Sequence, residues 1–264
     1  MELPIYQVDA FSRTAFSGNP AAVCPLAEWL PDETLQAIAA ENNLSETAFF
    51  VAENGSRRLR WFTPGCEVDL CGHATLATAY ILFSELNATE ENLVFETKSG
   101  KLSVLKEGDK LVLDFPARDP GPIEADKRLL AALGGPKPVE ILAARDYVIR
   151  YETAEQVRAL TPNMEALKEV DRFGFIVTAP GIDCDFVSRF FAPAKGVPED
   201  PVTGSAHCSL VPYWARLLGK TTLHARQVSQ RGGELFCRLK ENNRVEIGGY
   251  ATLFLKGKIR LYGS

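Results

Sequence analysis

Two stretches of the chain follow the same order of residue types. The stretch "RWFTPGCEVDLCGHA" starts at residue 60 and "RFFAPAKGVPEDPVTGSA" starts at residue 189. Pro64 and Pro193 are 129 residues apart, and so are Cys71 and Asp200. This interval is too long for the repeat unit of a solenoid. The pattern therefore predicts two similar domains that arose by duplication.

The likeness between the halves continues further along the chain. The segments "GKLSVLKEGDKLVLDF" from residue 100 and "GELFCRLKENNRVEIGG" from residue 233 each read as two alternating strands around a polar turn, which predicts a β-hairpin. Between the halves lies "FPARDPGPIEAD" at residues 115–126, which is rich in Pro, Gly and Asp. We therefore predict an N-terminal domain of residues 1–116, to which residues 258–264 add a strand, and a C-terminal domain of residues 117–257.

Each half also contains an apolar helical segment after its proline motif. The segment "HATLATAYILFSEL" has almost no polar face, and a helix that is apolar on all sides is buried on all sides. Since strands precede and follow it, we predict an α+β fold in which a mostly antiparallel sheet wraps around a central helix in each domain. The second copy, "SAHCSLVPYWARLLG", ends at Gly219, a predicted C-cap. Pro212 within it is expected to kink or restart the helix.

The composition excludes several classes of function. The chain is 46% apolar and 24% charged with a net charge of −5, and it has no dense Lys/Arg cluster, so a nucleic acid partner is not expected. No apolar run approaches the roughly 20 residues of a membrane span, and no membrane partner is expected. The segment "MELPIYQVDAF" lacks a signal-peptide pattern, which favours a cytoplasmic location. The six cysteines form no CxxC pair and are expected to be free thiols. Glycine-rich nucleotide-binding motifs are absent.

The starts of the two central helices are candidate anion sites. A helix N-terminus offers free N–H groups and the positive end of the helix dipole. Gly72 and Gly204 allow a ligand to approach the backbone closely. We therefore predict that both helix starts bind a carboxylate. If the two halves face each other, Cys71, His73 and Asp200 surround that anion.

Each of these residues also has an ordinary structural interpretation. His73 is then a buried hydrogen-bonding histidine, Cys71 a small core residue, and Asp200 a turn residue before proline. Gly204 and Ser205 are then helix-capping residues only. Their equivalent places in the two halves favour the functional interpretation.

Glu46 is a candidate acid/base group for a different reason. In "NNLSETAFFV" a helix end is followed by a strand whose phenylalanines look core-bound. A carboxylate at the start of that strand is poorly solvated, and burial disfavours the charged form, which suits a group that takes and returns a proton. The alternative is a solvated loop glutamate.

Four segments together resemble a known family. "FSGNPAAV" (16–23), "NLSETAF" (43–49), "DLCGHATLA" (69–77) and "EDPVTGSA" (199–206) are similar to signature segments of the phenazine-biosynthesis PhzF-like isomerase family, and the resemblance covers essentially the whole chain. It implies the fold of diaminopimelate epimerase, with two pseudo-symmetric α+β domains. This agrees with the duplication inferred above.

The resemblance also implies an activity. The family's phenazine enzyme isomerises trans-2,3-dihydro-3-hydroxyanthranilate without a cofactor, and a glutamate moves the proton. By this resemblance, Glu46 is expected to shuttle the proton. His73 and Asp200 are expected to hydrogen-bond the substrate and to help move or orient the proton. The expected substrate is a small carboxylated amino or hydroxy acid, cyclic or unsaturated, and the expected assembly is a homodimer. The expected substrate-binding residues are Asn19, Ser45, Cys71, Gly72, Thr203, Gly204 and Ser205.

Other functions remain open at this point. Cys71 and Asp200 could act as the opposed groups of an amino-acid epimerase or racemase, although relatives of that kind use two cysteines. The chain could also be a catalytically silent protein that binds a small acid. A metal site drawn from Cys66, Cys71, His73, His207 and Cys208 fits no standard zinc spacing, so no metal is expected.

Overall fold

The computed structural model describes residues 1–53 and 56–261, and contacts within the chain divide it into two units. Unit 1 comprises Met1–Asp114 and the C-terminal segment from Gly248, and unit 2 comprises Phe115–Ile247. Unit 2 thus begins at residue 115 where 117 was predicted, and it ends at residue 247 where 257 was predicted.

The described part of unit 1 contains two helices and a mixed sheet. The helices are α1 (Asp32–Asn42) and α2 (Gly72–Ser84). The strands are β1 (Glu2–Ala10), β2 (Asn19–Leu26), β3 (Glu46–Glu53), β4 (Ser56–Phe62), β5 (Glu67–Val68), β6 (Asn92–Thr97), β7 (Gly100–Glu107), β8 (Lys110–Pro116) and β18 (Ala251–Arg260).

The strand order in unit 1 is β18-β1-β2-β3-β4-β6-β7-β8. Its pairs are antiparallel except β2 with β3 and β4 with β6, which are parallel, and β5 adds a short antiparallel pair to β4. In β6, buried and exposed residues alternate, as expected for a strand with one face on the core. The predicted first hairpin is present as β7 and β8.

Helix α2 is the centre of unit 1. It contacts β1, β2, β3, β7 and β18, so the sheet curves around it. Almost every side chain from residue 73 to residue 82 is buried, which explains why the segment has no polar face. Helix α1 covers the outer face of the sheet, where Leu35 and Ile38 pack with Phe49 and Phe62. The predicted central helix is therefore confirmed.

Unit 2 repeats this arrangement. Its helices are α3 (Lys127–Leu133), α4 (Ala154–Ala159), α5 (Met164–Lys168) and α6 (Gly204–Leu218), with a 3₁₀ turn at Pro193–Lys195. Its strands are β9 (Gly121–Pro122), β10 (Glu140–Ala143), β11 (Tyr147–Arg150), β12 (Phe175–Pro180), β13 (Phe186–Ala192), β14 (Val197–Asp200), β15 (Thr222–Gln227), β16 (Gly233–Lys240) and β17 (Arg244–Gly249).

The pairing in unit 2 follows the pairing in unit 1. Strands β11 and β12 are parallel, as are β13 and β15, while β12 with β13 and β15 with β16 are antiparallel. Helix α6 lies between β14 and β15 in the chain, as α2 lies between β5 and β6. The two pseudo-symmetric α+β halves predicted from the sequence are confirmed.

Helix α6 runs without interruption through Pro212 and ends at Gly219 in the left-handed conformation. The expected restart of this helix is therefore wrong. Proline has no N–H for the carbonyl of Cys208, and the backbone N–H of Arg118 donates to that oxygen instead at 2.8 Å. The predicted C-cap at Gly219 is confirmed.

The C-terminal strand differs in extent from the prediction. β18 begins at Ala251, not at residue 258, and pairs antiparallel with β1 from Glu2↔Arg260 to Ala10↔Ala251. Pairing along all of β1 satisfies backbone groups that would otherwise form an open edge. Residues 262–264 of the predicted segment lie outside the described residues.

Two expectations about the chain as a whole can be compared with the structure. All six cysteines are free thiols, as predicted. Across residues 1–53 and 56–261, no helix combines the length and the apolar composition that crossing a membrane requires.

His207, inside α6, should make stability depend on pH. Its side chain is fully buried, Nδ1 donates to the Thr203 carbonyl at 2.8 Å, and burial lowers its pKa from 6.5 to about 4. The unfolded chain takes up a proton near pH 6.5 but the native chain does not until pH 4. We therefore expect the free energy of unfolding to fall by about 3 kcal/mol as pH drops through this window.

Urea unfolding of wild type, His207→Gln and the control His224→Gln at several pH values checks this pH dependence. An acid-side slope unchanged in His207→Gln would contradict it.

Candidate active site

In unit 1, the start of β3 lies beside the start of α2. Glu46 is the first residue of β3 and is in register with Ala21 of the parallel strand β2. His73 is the second residue of α2, and its Nε2 lies 3.1 Å from Glu46 Oε2. Both atoms are shielded from solvent, and neither has a hydrogen bond to another described residue. A carboxylate and an imidazole thus face each other with capacity left for a ligand.

The other ring nitrogen of His73 faces two further predicted residues. Nδ1 lies 3.5 Å from Cys71 Sγ and 3.2 Å from Asn19 Nδ2. Asn19 follows Gly18, whose φ is +72° and where a Cβ would lie 2.2 Å from the Ala10 carbonyl oxygen. Only glycine permits this turn, which brings Asn19 against the imidazole. The His73 ring therefore has Glu46 beside Nε2 and Asn19 and Cys71 beside Nδ1.

Burial and contacts set the proton affinities of this group. Burial raises the pKa of the Cys71 thiol to about 11, so it stays protonated at neutral pH. Burial alone would lower the pKa of His73, whereas the nearby Glu46 carboxylate raises it. Because an amide nitrogen can only donate, His73 Nδ1 accepts from Asn19, and the ring proton lies on Nε2 beside the Glu46 carboxylate.

The remaining predicted residues of unit 1 adjoin this pair. Cys71 is the N-cap of α2 but makes no side-chain cap hydrogen bond, and Gly72 is the first helical residue. Ser45 is half-buried and directly precedes Glu46. The structure therefore brings together all of the unit 1 residues that the sequence selected.

Glu46, Cys71 and His73 also offer ligand atoms within 4.8 Å of one another. Their donor types are ones that zinc accepts. Burial raises the pKa of the Cys71 thiol to about 11 in the metal-free protein, so zinc binding there would release the thiol proton. Of the metal set considered from the sequence, Cys66 is exposed, and its thiol lies 3.7 Å from the hydroxyl of Thr63.

In unit 2, the end of β14 leads into the start of α6. Asp200 is the last residue of β14, and its Oδ2 accepts a hydrogen bond from the Thr203 hydroxyl at 2.5 Å. Thr203 is the N-cap of α6 and Gly204 is its first helical residue. Here too the structure brings the predicted residues of the half together.

Two residues of this second group were missed from the sequence. Arg145 donates to the Ser205 hydroxyl at 3.1 Å, pairs with the buried carboxylate of Asp146 and lies over the ring of Phe173. Gln227, which is 1% exposed, bonds to both Asp200 and Thr203. Arg145 lies in the turn between β10 and β11 and Gln227 ends β15, and no local pattern in the sequence marks them.

The two central helices share an uncapped start. Asp126, Thr153 and Asn163 cap α3, α4 and α5 with their side chains. Helices α2 and α6 have no such side-chain cap, and neither does α1, which follows Pro31. Their first N–H groups are thus available to an anion.

Comparisons with known proteins place the chain in context. The PhzC-PhzF family model, described as "Phenazine biosynthesis-like protein", matches residues 8–257. A Pseudomonas aeruginosa protein named "Uncharacterized isomerase" is 55% identical over 262 residues, covering 99% of this chain and 100% of that protein.

Solved structures of other proteins also have a similar fold. The crystal structure of a phenazine biosynthesis protein of the PhzF family from Enterococcus faecalis matches with a TM-score of 0.96 and 52% identity over 99% of this chain and 100% of that chain. A predicted epimerase from Pseudomonas aeruginosa matches with a TM-score of 0.74 and 20% identity over 98% of this chain and 100% of that chain. The second likeness shows that the fold is shared with an epimerase-like protein.

Proposed function

The chain belongs to the PhzC-PhzF family of phenazine biosynthesis-like proteins, and on that basis we propose that it is a cofactor-independent isomerase. It moves a proton between carbons of a small carboxylated acid, cyclic or unsaturated, that carries an amino or hydroxy group. The observation that carries the proposal is the buried contact between Glu46 and His73 at 3.1 Å.

Glu46 is assigned as the group that carries the proton. Its carboxylate removes a proton from one carbon of the substrate, and the C–H electron pair shifts the double bond. The protonated carboxyl then returns the proton to a second carbon, so that no atom or electron is gained or lost. Shielding of Oε2 from bulk water supports this assignment, because a water-poor site limits side reactions of the deprotonated substrate.

His73 is assigned to charge stabilisation. Its Nε2 carries the ring proton, because Nδ1 accepts from Asn19, and it can donate a hydrogen bond to the substrate as negative charge develops. Its ring is fixed by Asn19 and Cys71 on the opposite side. A fixed donor needs no reorganisation during the reaction, which favours the role.

The unit 2 group is assigned to binding a carboxylated acid. The uncapped N–H groups at the start of α6 bind its carboxylate, and Asp200 accepts a hydrogen bond from its amino or hydroxy group. Arg145 adds positive charge and donates to the Ser205 hydroxyl, which leaves the hydroxyl proton available to the carboxylate. Two anion-receptive helix starts support a carboxylated substrate.

Thiol labelling separates this proposal from an epimerase that uses Cys71 as a base. Because burial raises the pKa of Cys71 to about 11, we expect iodoacetamide to label it at neutral pH at least about 100-fold more slowly than the exposed Cys66. Peptide mass spectrometry measures both rates, and Cys66→Ser should remove the fast reaction. Comparable labelling of Cys71 would instead favour a thiolate base.

A proton-exchange screen tests the proposed function itself. The protein is incubated with candidate carboxylic acids in deuterated water, and NMR follows deuterium at carbon. We expect enzyme-dependent incorporation or isomerisation for at least one unsaturated amino or hydroxy acid. Saturable binding of such acids with no exchange at any carbon would identify a binding protein without turnover.

A further inference from the structure

The N-cap residue of α6 does not cap its helix. Thr153 shows what a threonine does at this position, because its hydroxyl accepts a hydrogen bond from the Gln156 N–H at the start of α4. Thr203 has the same residue type and the same place at α6, and yet it makes no side-chain cap hydrogen bond. Its hydroxyl must be held elsewhere.

Two groups hold the Thr203 hydroxyl. Oγ1 lies 2.5 Å from Asp200 Oδ2 and 3.1 Å from Gln227 Nε2. An amide nitrogen can only donate, so Oγ1 accepts from Gln227. The single hydroxyl proton is then directed to Asp200. Gln227 thus fixes the direction of the hydrogen bond between Thr203 and Asp200.

The rest of the Gln227 side chain is bonded to the same short segment. Its Oε1 accepts from the Thr203 N–H at 2.8 Å, and its Nε2 also donates to the Asp200 carbonyl at 2.7 Å. Gln227 is the last residue of β15, and its backbone is in register with Gly233 and Ser188 of the neighbouring strands. A rigid strand end therefore determines how the loop between β14 and α6 is held.

We propose that Gln227 is a positioning residue that diverts Thr203 from capping α6 to orienting Asp200. One side chain thereby keeps the first N–H groups of α6 open to an anion and sets the orientation of the Asp200 carboxylate. The inference rests on the proposed function for the identity of the anion, which is the substrate carboxylate. That the Thr203 hydroxyl donates to Asp200 follows from the geometry alone and does not depend on the proposed function.

The proposal makes a specific prediction for two variants. In Gln227→Leu, Thr203 is free to rotate and accept from the Ser205 or Ala206 N–H, so anion binding at α6 should weaken about tenfold. In Gln227→Leu/Thr203→Val no hydroxyl remains to cap the helix, and binding should recover. A purely structural role of Gln227 predicts the reverse, because a second substitution would add further damage.

Sodium benzoate is the probe, and the backbone amide NMR signals of Gly204 and Ser205 are the readout. Saturable shifts in wild type, weakening in Gln227→Leu and recovery in the double variant support the inference. Equal affinity in wild type and Gln227→Leu, or no recovery in the double variant, would overturn it. If Gln227→Leu does not fold, Gln227→Glu replaces it in this experiment. A carboxylate cannot donate to the Thr203 hydroxyl, so benzoate binding should weaken in this variant as well.

A crystal structure of the single variant separates this inference from the proposed function. The inference expects Thr203 Oγ1 within hydrogen-bond distance of the Ser205 or Ala206 N–H, and an unmoved Thr203 hydroxyl would contradict it. Wild-type Gly204 and Ser205 signals that do not respond to benzoate would contradict the carboxylate assignment, whatever the position of that hydroxyl.

Discussion

Glu46→Gln is expected to lower the rate of carbon–proton exchange by about 100- to 10,000-fold. Glutamine keeps the size of the side chain but cannot accept a proton from carbon. The loss should appear in kcat more than in KM, since Glu46 is proposed to act on the reacting carbons. The deuterium-exchange assay with the best substrate from the screen measures this effect.

Two controls make this result specific to the proton transfer. Glu53→Gln changes an exposed carboxylate at the other end of β3 and should leave exchange unchanged. An NMR titration of the His73 ring needs no substrate, and its pKa should fall in Glu46→Gln because a negative neighbour is lost. Retained exchange in a folded Glu46→Gln protein would remove Glu46 from its proposed role.

Asp200→Asn is expected to have the second largest effect, a loss of about 100-fold or more in kcat/KM. The asparagine oxygen can still accept from the Thr203 hydroxyl, so the start of α6 should keep its structure. What disappears is the negative charge and one acceptor for the substrate. Exchange kinetics together with thermal unfolding distinguish this from a folding defect.

Asp119→Asn is a suitable control for that variant. Asp119 is exposed in the same unit and forms an ion pair with the exposed Arg216. We expect wild-type kinetics for this control. If Asp200→Asn behaves like Asp119→Asn, the unit 2 group takes no part in the reaction.

The sequence predicted the fold through features that are local and repeated. The apolar stretch after Gly72 could be buried only at the centre of a sheet, and it is. The Cys71/Asp200 equivalence predicted that both residues precede a central helix, which the structure also has. Such inferences succeed because hydrophobic periodicity and helix-start residues act within a few positions of the chain.

Contacts between residues that are far apart in the sequence could not be predicted in the same way. The restart expected at Pro212 is absent because Arg118, far away in the sequence, supplies the missing donor. Gln227 reaches the start of α6 from the end of β15 and Arg145 from the turn between β10 and β11, and a single Gln or Arg there has no distinguishing pattern. The start of β18 depends on which strand pairs with β1, a choice that only tertiary structure makes.

The central claim is that Glu46, beside His73, moves a proton on a small unsaturated carboxylic acid. A crystal structure with such an acid bound tests it most directly. We predict that the carbon skeleton of the ligand contacts the Glu46 carboxylate and lies within reach of His73 Nε2. A ligand bound away from the Glu46–His73 pair would contradict the claim.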